Sequence, residues 1–156
     1  MTPYFAYGSN MSRPHMARRC RTAVPIGPAR LDGWRFLVTA AGFASIVPAP
    51  GAVVHGVLWR LAARDLAALN AYESLDSGLY VRRMLPVRAG ERIVAALVYV
   101  GRERRPGKPR PGYQRVLVAA ARDWGLPEDY VRSLERWGQK FGKSWGPEVG
   151  GAGDAG

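Results

Sequence analysis

The chain has 156 residues, 47% hydrophobic and 22% charged, the composition of one globular domain rather than of a disordered chain. No apolar run approaches the ~20 residues that span a bilayer, and a lone cysteine, Cys20, excludes an intrachain disulfide. The net charge of +11 raises nucleic acid as a partner, but the basic residues are mainly scattered arginines in a chain also rich in Ala, Gly and Pro, a surface that equally attracts small anions.

Residues 3–7 (PYFAY) predict a short buried strand that stops at once in Gly8-Ser9-Asn10. This is either a surface turn or a loop whose amides approach a ligand. Ser12 has the chemistry of an N-cap, with Pro14 in the first turn of a helix. Pro25, Gly27 and Pro28 predict a break before Ala29. Strands are then expected over 34–39, 44–47 and 53–61, with Gly56 marking a bulge or the close approach of another backbone. Residues 62–72 predict a helix. A hairpin follows over 80–87 and 93–100, turned at Ala89-Gly90-Glu91. The basic, Pro- and Gly-rich stretch 102–110 reads as a loop. Two helices close the order: one over 113–124, and one opening at Leu126-Pro127 and stopping at Gly138.

About six strands and three to four helices predict an α+β domain over 1–142, and glycine-bent strands allow a small barrel. The Gly/Ala-rich segment 143–156 has little to bury and is expected to be a disordered tail. Met1-Thr2-Pro3 lacks the basic opening of a signal peptide, and with a single cysteine the expected location is cytoplasmic.

Familiar catalytic apparatus is sparse. The sequence contains no phosphate-binding glycine motif, no H-E-x-x-H and no cysteine pair. His15 and His55 lack companions for a metal site, so no metal or other cofactor is expected. Cys20 lies in an Arg-rich run that lowers thiol pKa values, but it has no evident base. Most carboxylates, Asp65 among them, sit where solvated or capping charges belong. Glu73 differs, because it ends a helix where a negative charge opposes the dipole. It reads either as an exposed helix end or as a carboxylate at a cavity mouth suited to acid–base work.

Several segments in order carry a resemblance. Tyr4-Phe5-Ala6-Tyr7-Gly8-Ser9-Asn10-Met11 resembles the opening of the γ-glutamylcyclotransferase family, in the wider AIG2-like superfamily. Ala29-Arg30-Leu31, Phe36 and Val54-His-Gly-Val-Leu-Trp-Arg-Leu61 are similar to its next strands. Leu69 through Glu73 and Ser77-Gly78-Leu79-Tyr80 resemble its catalytic-glutamate segment. Pro111-Gly112-Tyr113 through Gly125-Leu126-Pro127-Glu128-Asp129-Tyr130 resemble its ending.

The resemblance implies a small mixed β-barrel flanked by helices and a reaction that turns an L-γ-glutamyl amide into 5-oxoproline and a free amine. It implies Glu73 as general acid and base, with Tyr7, Gly8, Ser9, Asn10, Tyr80 and Tyr113 around a small-molecule substrate. Arg82 or Arg83 is a further candidate for anion binding, although strand alternation turns at least one of them to solvent. Y-G-S-N, rather than the Y-G-T-L or Y-G-S-L of γ-glutamylamine and glutathione-specific branches, leans toward γ-glutamyl amino acids. Removal of a γ-glutamyl group from a biosynthetic intermediate or a γ-glutamylamine is the alternative of the same chemistry. From other classes, a binding protein that kept the fold and a basic nucleic-acid-binding protein remain open.

Overall fold

The β-forming segments pair into one sheet that closes on itself. A computed structural model describes residues 1–72 and 78–140, with side chains through 137. Among the described residues there are five strands: β1 (Thr2–Ala6), β2 (Val24–Val38), β3 (Ala44–Leu61), β4 (Tyr80–Ala89) and β5 (Arg92–Gly101). They run in the order β1-β3-β2-β4-β5 around a closed barrel. All neighbours are antiparallel except β1 and β5, whose parallel pairing of Tyr4 with Leu97 completes the circle. Closure removes the free edges that a five-stranded open sheet would expose.

Five strands stand where about six were expected, because residues 44–47 and 53–61 belong to the single strand β3. Likewise, β2 runs through Pro25, Gly27 and Pro28, where a break was expected. In both cases proline and glycine bend a strand rather than end it. The ladder shifts register between Pro25 and Gly27 and again between Asp32 and Trp34. Gly27 (φ 140°) and Gly33 (φ 85°) take the positive angles that these bulges need.

Gly56 resolves in favour of close approach. A Cβ built there would lie 2.3 Å from the Ala6 carbonyl oxygen, so only glycine lets the end of β1 come this close to its neighbour β3. Phe5, Leu58 and Val98, all buried, belong to the continuous core, where each buried aliphatic side chain contributes about 1.5–3 kcal/mol of transfer free energy.

Four helices dress the barrel among the described residues: α1 (Arg13–Arg19), α2 (Ala63–Tyr72), α3 (Tyr113–Asp123) and α4 (Glu128–Lys140). Ser12 caps α1 as expected, its hydroxyl accepting from the His15 N–H at 3.3 Å. Asp65 performs capping but is not solvated. It is 1% exposed and accepts from the Ala62 N–H at 3.1 Å, the Thr22 N–H at 3.1 Å and the Thr22 hydroxyl at 2.6 Å.

The motif Gly125-Leu126-Pro127 ends α3. Gly125 adopts φ 71°, its N–H donates to the Arg122 carbonyl, and the Leu126 N–H donates to the Ala121 carbonyl, both at 3.0 Å. This is a Schellman cap, with buried Leu126 as its apolar contact. α4 continues past Gly138 to Lys140, so the expected stop does not hold. A helical glycine costs about 1 kcal/mol relative to alanine, too little to end a helix that buries Val131, Leu134 and Trp137. The expected tail over 143–156 lies outside the described residues. Among the described residues no helix is long and apolar enough to cross a membrane.

Candidate active site

Strand β1 ends at Ala6, and the chain turns at once into a 3₁₀ turn, Ser9–Met11, before α1 begins. Met11 and Ser12 donate back to the carbonyls of Gly8 and Ser9, each at 3.0 Å, which fixes the turn. The Ser9 and Asn10 N–H groups open the turn and have no acceptor within it. Gly8 passes close to the opposite wall: a Cβ there would lie 3.1 Å from the Tyr113 hydroxyl and 3.3 Å from the Ala44 Cβ.

This loop forms one side of a cavity of about 210 Å³ at the barrel end. Tyr7, Gly8, Ser9, Asn10, Tyr80 and Tyr113 all line it, so the structure brings together the six described residues singled out from sequence. Tyr113, at the start of α3, accepts from the Ala44 N–H at 3.1 Å, and Tyr80, at the start of β4, donates to the Ala44 carbonyl at 3.1 Å. Both tyrosines are therefore held by the backbone of one residue of β3, Ala44. Tyr7 donates to the Tyr99 carbonyl at 2.5 Å, tying β1 to β5.

Five aromatic wall residues escaped sequence reasoning: Tyr4, Phe5, Phe43, Tyr72 and Tyr99. Tyr4 packs edge-on against Tyr99, ring centres 5.9 Å apart, and accepts from the Asn10 side-chain amide at 3.1 Å. Tyr99 donates in turn to the Asn70 side-chain carbonyl of α2. Phe43, Tyr72 and Leu79 line the cavity while remaining 36%, 47% and 55% exposed, and so form an apolar rim. Every described lining residue is uncharged.

Glu73 follows Tyr72 in sequence and lies outside the described residues. Arg82 and Arg83 are both exposed and neither lines the cavity; Arg83 lies over the Trp34 ring instead. His15 pairs with the Ser12 hydroxyl at 2.9 Å, and burial, then the positive charges of Arg19 and Arg18, lower its pKa. His55 stacks edge-on against Tyr130, 4.9 Å between centres. Cys20 is buried against α2, its thiol donating to the Asp65 carbonyl at 3.6 Å, which removes it from nucleophile candidates. Among the described residues no three His, Cys, Asp or Glu side chains converge as metal ligands would.

A concave, mainly aromatic pocket with a few placed hydroxyls and amides at one end of a small barrel is the form of a small-molecule site. Residues 4–125 match the family described as gamma-glutamyl cyclotransferase, AIG2-like. The chain belongs to that family, and is an enzyme of it. It is 30% identical over 142 residues to the gamma-glutamylcyclotransferase of Bos taurus, covering 84% of this chain and 76% of that protein. The Mus musculus gamma-glutamylcyclotransferase is 29% identical over 143 residues, covering 85% and 76%. Among solved structures, a gamma-glutamyl cyclotransferase superposes with a TM-score of 0.81 at 27% identity, covering 86% of each chain.

Proposed function

We propose that this enzyme cyclises the L-γ-glutamyl group of a γ-glutamyl amino acid, releasing 5-oxoproline and the free amino acid. The observation that carries the reading is the convergence of Tyr7, Gly8, Ser9, Asn10, Tyr80 and Tyr113 on one cavity in a member of this family.

The substrate α-amine attacks its own γ-carbonyl carbon. A new C–N bond closes a five-membered ring, and the original amide C–N bond breaks. Nucleophile and electrophile are tethered, so holding the folded conformation supplies an effective molarity on the order of 10⁵ M or more. Two protons leave the α-nitrogen, one before attack and one as it becomes the ring amide, and both end on the departing amine, so the balance closes within one molecule.

Glu73 is assigned as the carrier of these protons in turn, from the family motif and from its place next to Tyr72, whose side chain lines the cavity. Gly8, Ser9 and Asn10 supply amide and hydroxyl donors for the α-carboxylate and for charge developing on the γ-carbonyl oxygen. Tyr7, Tyr80 and Tyr113 wall the glutamyl head. The apolar rim of Phe43, Tyr72 and Leu79 faces the departing amino acid.

Replacing Glu73 by Gln lowers kcat for 5-oxoproline release from γ-glutamyl-alanine by roughly 10²–10⁴-fold on this reading. A folded Glu73→Gln enzyme with wild-type turnover removes Glu73 from the mechanism. Ser9→Ala raises KM more than it lowers kcat; unchanged constants remove Ser9 from the site. A panel including glutathione and γ-glutamylamines, scored for 5-oxoproline, identifies the leaving amine.

A further inference from the structure

Arg19 sits at the last position of α1, half-buried, and it does not line the cavity. One of its terminal nitrogens donates to the Ser9 hydroxyl oxygen at 3.0 Å and to the Asn10 side-chain carbonyl at 2.5 Å. The same guanidinium lies over the Tyr72 ring, 3.8 Å from ring centre to central carbon. No carboxylate among the described residues comes within ion-pair distance of it. Its donors are therefore directed at the loop and its face at the end of α2.

We infer that Arg19 is the positioning residue of this site, fixing the donor polarity of the Ser9–Asn10 loop and tying that loop to the end of α2. The inference rests on the cyclotransferase reading above. A guanidinium only donates, so the groups it meets must accept. The Asn10 side-chain oxygen is thereby turned toward Arg19, and its NH₂ toward the Tyr4 hydroxyl. The Ser9 oxygen accepts as well, which directs its own proton away from Arg19, on a residue that lines the cavity.

The loop is thus set to donate, the polarity that an α-carboxylate or an oxyanion requires. The stacking contact reaches the other half of the site, because Tyr72 immediately precedes Glu73 in sequence. A single side chain sets the loop that holds the glutamyl head and steadies the residue leading to the proton carrier.

The test compares Arg19→Met, Arg19→Gln and Arg19→Lys with wild type, using γ-glutamyl-alanine turnover, thermal melting and amide hydrogen exchange. Arg19→Met is expected to lower kcat/KM by about 10–100-fold, the scale of a misplaced reacting group, through a higher KM and a lower kcat together. Arg19→Lys recovers part of this, since it keeps the charge but not the planar fork. Combining Arg19→Met with Ser9→Ala costs less than the product of the two single effects. Exchange at the Met11 and Ser12 amides accelerates, while the barrel amides and the melting temperature stay near wild type.

Wild-type kinetic constants and wild-type loop protection in Arg19→Met overturn the inference. Should that variant not fold, Arg19→Gln carries the same comparison. If wild-type protein releases 5-oxoproline from no γ-glutamyl compound, the cyclotransferase reading falls. The exchange rates at Met11 and Ser12 still decide whether Arg19 holds the loop.

Discussion

Gly8 is favoured by space and not by backbone angle. Its φ of −114° lies outside the left-handed region, yet any Cβ would press on the Tyr113 hydroxyl and on Ala44. Gly8→Ala is therefore expected to push Tyr113 off the Ala44 N–H, costing about 1 kcal/mol of stability for the lost hydrogen bond. The larger effect falls on KM for the γ-glutamyl substrate, raised by about tenfold or more as the wall shifts. Melting and steady-state kinetics on the same preparation check both, and an unchanged KM shows that the wall absorbs the methyl group. This stretch of the candidate site was noticeable in the sequence because its residues are consecutive and of unusual type, but only the resemblance favoured a ligand loop over a surface turn. Tyr80 and Tyr113 were legible only through resemblance, since a strand or helix tyrosine is ordinarily core. Tyr99 and Arg19 were not legible at all. Tyr99 reads as any strand aromatic. Arg19 stands in a run of arginines, and only the direction in which α1 presents it sets it apart from Arg18.

At the scale of elements, Asp65 joins the start of α2 to the segment that follows α1. Burial raises its pKa, but hydrogen bonds from the Thr22 side chain and the Ala62 and Thr22 amides, with nearby Arg64, outweigh burial and hold the carboxyl below its ordinary value. A carboxyl depressed on folding contributes stability above its unfolded pKa, about 3.9, and loses it as pH falls through the folded value. Asp65→Asn is expected to lower stability at neutral pH by about 1–3 kcal/mol. It also flattens the acid limb of the stability curve below about pH 4. Chemical denaturation at several pH values checks this, and an unchanged acid limb shows that Asp65 does not titrate with folding. Helix positions were legible because their apolar spacing and caps are local. The extents of β2 and β3 were not. Pro25, Gly27 and Pro48 carry the same local signal whether they end a strand or bend it, and only pairing with a distant partner decides. Gly125-Leu126-Pro127, matched as part of a family pattern, turns out to serve helix termination rather than chemistry.

For the whole molecule, the chain carries a net charge of +11 while the described lining of the cavity is neutral. The field then acts on approach rather than on the bound state. γ-Glutamyl-alanine carries a net negative charge, whereas a γ-glutamyl-alkylamine is neutral overall. Raising ionic strength from about 10 mM to 500 mM is expected to lower kcat/KM several-fold for the first and to leave the second nearly unchanged. Equal salt dependence for both substrates removes the steering effect. Barrel closure has a different consequence, for when the enzyme comes into being. The bond from Tyr7 to Tyr99 joins residues 92 apart in sequence, and β1 finds its last neighbour only in β5. Closing so long a loop is slow, because its entropy is lost before any contact repays it. On a ribosome, the loop after β1 emerges well before its partners: its far wall does not exist until β5 and Tyr113 of α3 have been synthesised. Catalytic competence should therefore arrive late, once the barrel has closed and α3 has brought in Tyr113, and no fragment ending before α3 should turn over substrate.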